Sequence, residues 1–500
     1  MLGPQRAGEA IRPYQAALLA YFAGVLWYGG NCYWIYRTMH VYESIPAFAS
    51  FGILLLFSLY VGLYHALFGA LIGTLRAKYS RTIVLLSTPF LWVAVELARA
   101  RITGFPWDLL GYSQVDNLAL TRLAPWTGVM GISFIIAAIN ALWLIRPSNR
   151  GRMPTYRTRW STYAPLVLAT LVVVVLSVVA THNRSNIPEP TQAVATLVQE
   201  NLSVGTEATG LTETKQQMLS SFSQLSLHPV IGLTPRDRRL YGSSISDRSQ
   251  IIVWPESPTD FVDSDPILRQ AISNLAVQAN EPVIVNDVTI ASTTEDGHRN
   301  LYNSASFYLP DGSYAGHYDK MHLVPFGEYT PYKPLFFFVG HLLDDLVFIP
   351  GTQRTLFKVG DKSYGVFICY ESIFGDDMRM FARNGAQVLI NISDDGWYGD
   401  TSAPWEHLDM VRMRAIENRR WIVRATNTGI TAAIDPYGRV TETVPRHVRT
   451  SVQVAFGYRS DLTFYSRYGD WFAWLCAIAT SGLLIIGFGR KTFAASGKVN

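Results

Sequence analysis

The sequence predicts two structural classes in one chain, a multi-span α-helical membrane bundle and an α/β domain outside the membrane. Two observations lead to this prediction. First, 49% of the 500 residues are hydrophobic and only 16% are charged, and long uncharged apolar runs gather at both ends of the chain. Second, the polar stretch of about 280 residues between these runs alternates short β-rich segments with helical segments.

Six apolar runs predict the membrane helices. About 20 apolar residues cross a hydrocarbon core of about 30 Å, and buried helices of a soluble protein would instead show amphipathic faces. The runs are Gln15–Tyr36, Ile45–Leu75, Thr82–Ala98, Leu123–Ile145, Ser161–Thr181 and Trp471–Gly489. We therefore expect a membrane domain over residues 1–185 with about five helices, an external domain over 190–465 and a C-terminal membrane helix over 470–490.

The basic residues predict how the bundle is oriented. Lysine and arginine concentrate in the links "RAKYSR" (76–81) and "RPSNRGRMPTYRTRW" (146–160) and in the tail that begins "RK". Because cytoplasmic loops carry such an excess, the amino terminus should lie inside and the polar block outside. The formal net charge of +4 then comes largely from these flanks and does not indicate nucleic-acid binding. Residues 1–14 lack the apolar core of a signal peptide, so the first run should serve as the targeting anchor.

The external block reads as strands that alternate with helices. We expect strands within 193–202, 249–257, 281–290, 362–371 and 386–395 and a hairpin over 303–320 that turns at Asp311-Gly312. A helix should begin near 403 and run into a strand, and a last hairpin should turn at Pro436-Tyr437-Gly438. This alternation is typical of an α/β domain with both sheet faces covered.

Reactive side chains follow three of these predicted strands, where ligands usually bind in α/β domains. They are Glu256 in "VWPES", Lys320 in "YDKMHLVPFGEYTP" and Cys369 in "FICYES". A carboxylate takes the thiol proton, a lysine stabilises the negative charge on an attacked carbonyl, and the thiolate forms a thioester. Taken singly, each residue also has a structural explanation: a turn cap, a solvated charge or a buried cysteine.

Cys369 is the one cysteine of the external block, because Cys32 and Cys476 lie inside predicted membrane runs. A disulfide framework is therefore excluded there. An unpaired thiol in an oxidising compartment is a chemical liability, which favours a functional reason for it.

At these residues the chain resembles the nitrilase superfamily and, within it, the membrane-bound apolipoprotein N-acyltransferases of bacteria. The blocks that carry the resemblance follow in order: "WPES", "YDKMHLVPFGEYTP", "ICYESIFG", "NISDDGWYG", "PWEHLDMVRMRAIENRR" and "RATNTGITAAIDPYG". In the membrane part, "GFPWDLLGYSQVDN" (104–117) resembles a family loop on the same side of the membrane.

The resemblance implies an αββα sandwich and a Glu-Lys-Cys triad. It implies Glu256 as general base, Lys320 as catalytic lysine and Cys369 as nucleophile. Glu328 matches a second glutamate near the thiol, and Tyr370 and Glu371 match residues beside the nucleophile that activity needs.

The implied reaction moves an acyl chain from a glycerophospholipid, expected to be phosphatidylethanolamine, to Cys369 and then to the amine of a diacylglyceryl-cysteine on an apolipoprotein. Ping-pong kinetics follow from the shared thioester. The resemblance implies no metal and no dissociable cofactor, a bacterial inner-membrane location with the catalytic domain in the periplasm, and a monomer.

Two other classes of protein remain open on the sequence. A membrane-tethered amidase for a small amide would use the same triad but needs no multi-span anchor, and a lipid-binding scaffold with an inactive hydrolase fold needs no complete triad.

The apolar segment 332–350 would dip into lipid or cover the site, or else form an ordinary buried helix. The chain also departs from the family in having fewer spans at its front and Asp395-Gly396 where Asp-Ala is more usual.

Overall fold

The computed structural model describes residues 12–144, 189–205, 213–231, 250–256, 261–293, 299–329 and 347–489. The chain divides into two compact units. The helical unit falls within Met1–Tyr36, Ile45–Ile187 and Tyr468–Asn500, and the α/β unit falls within Arg37–Ser44 and Pro188–Arg467. The segment Arg37–Ser44, although it follows the first apolar run, therefore belongs to the α/β unit.

Five long helices make up most of the described part of the helical unit. They are α1 Pro13–Asn31, α2 Ala47–Lys78, α3 Arg81–Ala98, α4 Val129–Trp143 and α9 Trp471–Gly489, and the numbers between α4 and α9 belong to helices of the α/β unit. A π-helical turn, Arg99–Thr103, continues α3.

In the part of the chain that the structure describes, three helices are long and apolar enough to cross a membrane: α2, α3 with its π-helical extension, and α9. The fourth apolar run forms α4, a shorter apolar helix of 15 residues. The first run forms α1, which ends at Asn31 and is not among the described helices that reach this length and apolarity. The fifth run, 161–181, and the arginine-rich link before it lie outside the described residues. The count of six spans and their orientation therefore stay predictions.

Small residues bring α1 and α2 together. A Cβ added at Gly69 would lie 2.4 Å from the carbonyl oxygen of Ala16 and 2.6 Å from the Cβ of Ala20. A Cβ at Gly24 would lie 2.6 Å from that of His65. In lipid no hydrophobic effect drives helices together. Van der Waals packing replaces it, and small residues allow the close approach of backbones that such packing needs.

The α/β unit contains two described sheets. The first has the strand order β13-β1-β2-β3-β4-β5, with β6 paired to β4, and the second has the order β12-β11-β10-β9-β8-β7. The strands are β1 Ala193–Gln199, β2 Ile251–Val253, β3 Val283–Thr293, β4 Arg299–Tyr308, β5 Tyr314–Asp319, β6 Val347–Phe348, β7 Leu356–Val359, β8 Lys362–Ile368, β9 Val388–Ser393, β10 Ile422–Thr426, β11 Ala432–Ile434, β12 Val440–Thr443 and β13 Thr450–Phe456.

The two sheets pack face to face, with helices on both outer faces. The central core combines side chains of both sheets, and Phe307 of the first sheet stacks on Phe357 of the second at 4.7 Å. Helices α5 Lys215–Leu227 and α6 Pro266–Ala279 pack on the outer face of the first sheet. Helices α7 Gly375–Arg383 and α8 Ala403–Asn418 contribute to the core beside the second sheet. The expected αββα sandwich is confirmed.

Local sequence signals predicted most of these strands. The predicted hairpins are β4–β5 and β11–β12, and both turn at a glycine with positive φ, 82° at Gly312 and 79° at Gly438. The helix predicted from residue 403 is α8, and β10 follows it. The apolar segment 332–350 lies largely outside the described residues, and its predicted role at the site stays a prediction.

Candidate active site

Each residue of the predicted triad follows a strand of one of the two sheets. Glu256 follows β2 and Lys320 directly follows β5, both in the first sheet, whereas Cys369 directly follows β8 in the second sheet. Lys320 is 1% exposed and Cys369 is 6% exposed, so both reactive groups are buried.

A buried cluster of charges joins Lys320 to two glutamates. The Lys320 Nζ lies 3.2 Å from Oε1 of Glu256 and 3.0 Å from Oε1 of Glu328. The second oxygen of each carboxylate accepts a backbone N–H, from Asp394 at 3.0 Å for Glu256 and from Val324 at 2.7 Å for Glu328. Both carboxylates are therefore held in place from two sides.

Asn303 is the member of this cluster that the sequence did not reveal. Its Nδ2 donates to Oε1 of Glu256 at 2.9 Å and to Oε1 of Glu328 at 2.8 Å. Asn286 fixes the orientation of this amide by donating to its Oδ1 at 2.7 Å. A polar residue in the middle of β4 was the available signal, and only the pairing of β4 with β5 shows that it reaches the site.

Cys369 occupies a strained turn where β8 ends. Its φ is 50°, a left-handed conformation that residues other than glycine rarely adopt and that often marks functional sites. Burial raises the pKa of the Cys369 thiol well above its ordinary value, the Glu256 carboxylate raises it further, and the Lys320 charge opposes both. The thiol therefore keeps its proton at neutral pH and needs a base in order to react.

Lys320 stays charged in spite of its burial. Burial by itself lowers the pKa of a lysine, but the charges of Glu256 and Glu328 more than offset this and raise the pKa of Lys320 above its ordinary value. A permanent ammonium beside the thiol is suited to stabilise negative charge that develops on a substrate oxygen.

Glu371 connects the two strand ends that carry Lys320 and Cys369. Its carboxylate is fully buried and accepts from the backbone N–H of Ile368 and Met321 and from the hydroxyl of Tyr318, each at 2.7 Å. Burial raises the pKa of Glu371, and these donors lower it in part. The position of Glu371 indicates a positioning role rather than direct contact with substrate.

Tyr370, the other predicted neighbour of the nucleophile, is 5% exposed. Its ring packs edge-on against Phe374 at 5.4 Å. Among the described residues, no group of three His, Cys, Asp or Glu side chains is arranged to hold a metal ion.

The comparisons with known proteins match both units. A family model described as the apolipoprotein N-acyltransferase N-terminal domain matches residues 6–142, and one described as carbon-nitrogen hydrolase matches residues 229–456. An apolipoprotein N-acyltransferase of Geobacter metallireducens is 33% identical over 486 residues, 96% of this chain and 88% of that protein. The chain belongs to the apolipoprotein N-acyltransferase family.

Another apolipoprotein N-acyltransferase, from Methylococcus capsulatus, is 31% identical over 497 residues, 97% of this chain and 89% of that protein. Among solved structures, an amidase of the nitrilase superfamily from Nesterenkonia AN1 matches with a TM-score of 0.40 and 16% identity, over 57% of this chain and 97% of that one. Because the alignments with the two N-acyltransferases span nearly the whole chain, the family membership includes the helical unit as well as the α/β unit.

Proposed function

We propose that this protein N-acylates lipoproteins, moving an acyl chain from a glycerophospholipid to the N-terminal amine of a diacylglyceryl-cysteine. One observation carries the proposal: in a chain of this family, a buried Lys320 binds both Glu256 and Glu328 beside a thiol at a strained strand end. Helices that are long and apolar enough to cross a membrane are consistent with substrates that reside in a bilayer.

In the first step, the Sγ of Cys369 attacks the ester carbonyl of the phospholipid while Glu256 takes the thiol proton. The Lys320 ammonium stabilises the negative charge on the carbonyl oxygen. The C–O ester bond then breaks, Glu256 returns the proton to the leaving oxygen, and a lysophospholipid departs. The acyl chain remains on Cys369 as a thioester.

In the second step, the amine of the diacylglyceryl-cysteine attacks the thioester carbonyl. Glu256 takes a proton from the amine, the C–S bond breaks, and the thiol of Cys369 recovers its proton as the amide forms. The two substrates use the same thiol in turn, which predicts ping-pong kinetics.

The membrane helices have a physical purpose in this reaction. Lifting a chain of sixteen carbons out of a bilayer costs about 0.8 kcal/mol per CH₂, on the order of 12 kcal/mol in total. An enzyme anchored in the membrane avoids this cost because its substrates stay in their leaflet. We infer that the protein acts as a monomer in a bacterial inner membrane, with phosphatidylethanolamine as donor and the α/β unit in the periplasm.

Intact-protein mass spectrometry tests the proposal. The full chain in detergent with phosphatidylethanolamine should gain one acyl mass on Cys369, and a diacylglyceryl-cysteine peptide should remove it. Cys369→Ala should fold and gain no mass, whereas Cys476→Ala should behave as the parent. An unmodified thiol together with ammonia release from small amides would instead indicate the tethered amidase.

A further inference from the structure

A second charged cluster contacts the backbone carbonyl of the nucleophile. It consists of Asp395, His407 and Arg424, and the side chains of all three are 0% exposed. They come from three different elements: Asp395 follows β9, His407 lies in α8, and Arg424 lies in β10. The reaction steps proposed above use none of them.

His407 connects this cluster to the nucleophile. Its Nε2 lies 3.1 Å from the backbone carbonyl oxygen of Cys369, and its Nδ1 lies 2.8 Å from Oδ1 of Asp395. The other oxygen of Asp395 accepts from the Arg424 guanidinium at 2.6 Å. A chain of contacts therefore runs from β10 through the carboxylate and the imidazole to the turn that holds the thiol.

The contacts decide the direction of the hydrogen bond between His407 and Cys369. A backbone carbonyl only accepts hydrogen bonds, so Nε2 carries the proton and donates it to the Cys369 carbonyl oxygen. The Asp395 carboxylate is ionised: burial raises the pKa of this group, but the charges around it lower the pKa below its ordinary value. With the Arg424 guanidinium it holds the imidazole ring in place from the Nδ1 side.

We propose that His407 is a positioning residue for the nucleophile: its Nε2–H donates to the carbonyl of Cys369 and holds the strained turn in place. This hydrogen bond keeps the left-handed backbone that presents Sγ. The inference rests on the proposed function for its catalytic consequence, and its effect on the thiol itself can be measured without any substrate.

Three substitutions test this hydrogen bond. His407→Ala removes the donor, whereas His407→Gln retains an N–H donor near the position of Nε2. His407→Leu also removes the donor but fills more of the space, and it serves as the donor-free variant if His407→Ala does not fold. His447→Ala is the matched control, because His447 binds Asp400 at the surface and its side chain is 52% exposed. Thermal unfolding and circular dichroism of the full chain in detergent report whether each variant folds.

The first readout is the rate of alkylation of Cys369 by iodoacetamide at one pH, followed by mass spectrometry. A displaced Sγ should change this rate in His407→Ala, whereas the rate in His407→Gln should stay close to that of the parent protein. The second readout is the single-turnover rate of acylation by phosphatidylethanolamine. We expect a loss of about 100-fold in His407→Ala, typical of a misplaced reacting atom, and a smaller loss in His407→Gln.

Alkylation and acylation rates in a folded His407→Ala or His407→Leu that match those of the parent would overturn the inference. Equal rates in His407→Gln and in the donor-free variant would overturn it as well. Failure of the parent protein to form any lipid adduct, with the alkylation rate still changed in His407→Ala, would instead contradict the proposed function.

Discussion

At the scale of single residues, the site holds two carboxylates close together in a largely buried environment. Glu256 and Glu328 repel each other, and each side chain is only 12% exposed. Lys320 supplies one compensating charge, and the neutral amide of Asn303 supplies a donor to each carboxylate without adding a charge. Removing the amide therefore leaves the charges unchanged and the geometry of the base less defined.

We expect Asn303→Ala to slow the acylation of Cys369 by about 10- to 100-fold, because a hydrogen bond to a charged group contributes about 1.5–3 kcal/mol. The acylation rate measured by mass spectrometry at fixed donor concentration checks this. Asn300→Ala is the control, since Asn300 lies in the same strand and bonds to the exposed Ser292. Equal rates for the two variants would show that the bridge between the glutamates is not needed.

The sequence predicted those residues of the site that can be recognised from their residue type and from their place after a predicted strand. Glu256, Lys320 and Cys369 follow strands, and an acid, a lysine and a thiol are the residue types that acyl transfer needs. Asn303 and His407 gave no such signal, because an asparagine within a strand and a histidine within a helix have many structural uses. Their roles depend on contacts across 47 residues to Glu256 and 38 residues to Cys369, which only the fold defines.

At the scale of elements, the helical unit depends on close backbone contact. Helix α1 lies against α2 where Gly69 faces Ala16 and Ala20, and no side chain longer than hydrogen fits between them. The sequence showed two apolar runs here, but it did not show which glycines face the neighbouring helix. Helical periodicity is hidden in runs that are apolar on all sides.

Gly69→Ala should destabilise the helical unit by about 1–3 kcal/mol, because a methyl group there overlaps the Ala16 carbonyl oxygen. Gly52→Ala in the same helix has open space around the added Cβ and should be neutral or slightly stabilising, since alanine is the better helix former. Thermal unfolding of both full-length variants in one detergent makes the comparison. A lower midpoint for Gly52→Ala than for Gly69→Ala would contradict the close contact between α1 and α2.

At the scale of the whole molecule, the apolar runs and the alternating segments of the polar block predicted a helical membrane part and an α/β part. It did not predict that Arg37–Ser44 belongs to the α/β unit, where Thr38 donates to the carbonyl of Trp397 at 2.9 Å. That contact joins residues 359 positions apart, and nothing in a segment between two apolar runs signals it. The orientation of the chain in the membrane stays a prediction, which rests on the basic links alone.

This sidedness gives the last prediction. In a parent with Cys32→Ala, Cys369→Ala and Cys476→Ala, a membrane-impermeant maleimide applied to spheroplasts should label Asp361→Cys, whose native side chain is 84% exposed in the α/β unit. Ser80→Cys, in the basic link between α2 and α3, should react only after lysis, because the positive-inside rule places that link in the cytoplasm. The reverse pattern would put the thiol and its acids in the reducing cytoplasm, where an unpaired cysteine is ordinary and lipoprotein substrates in the outer leaflet are out of reach.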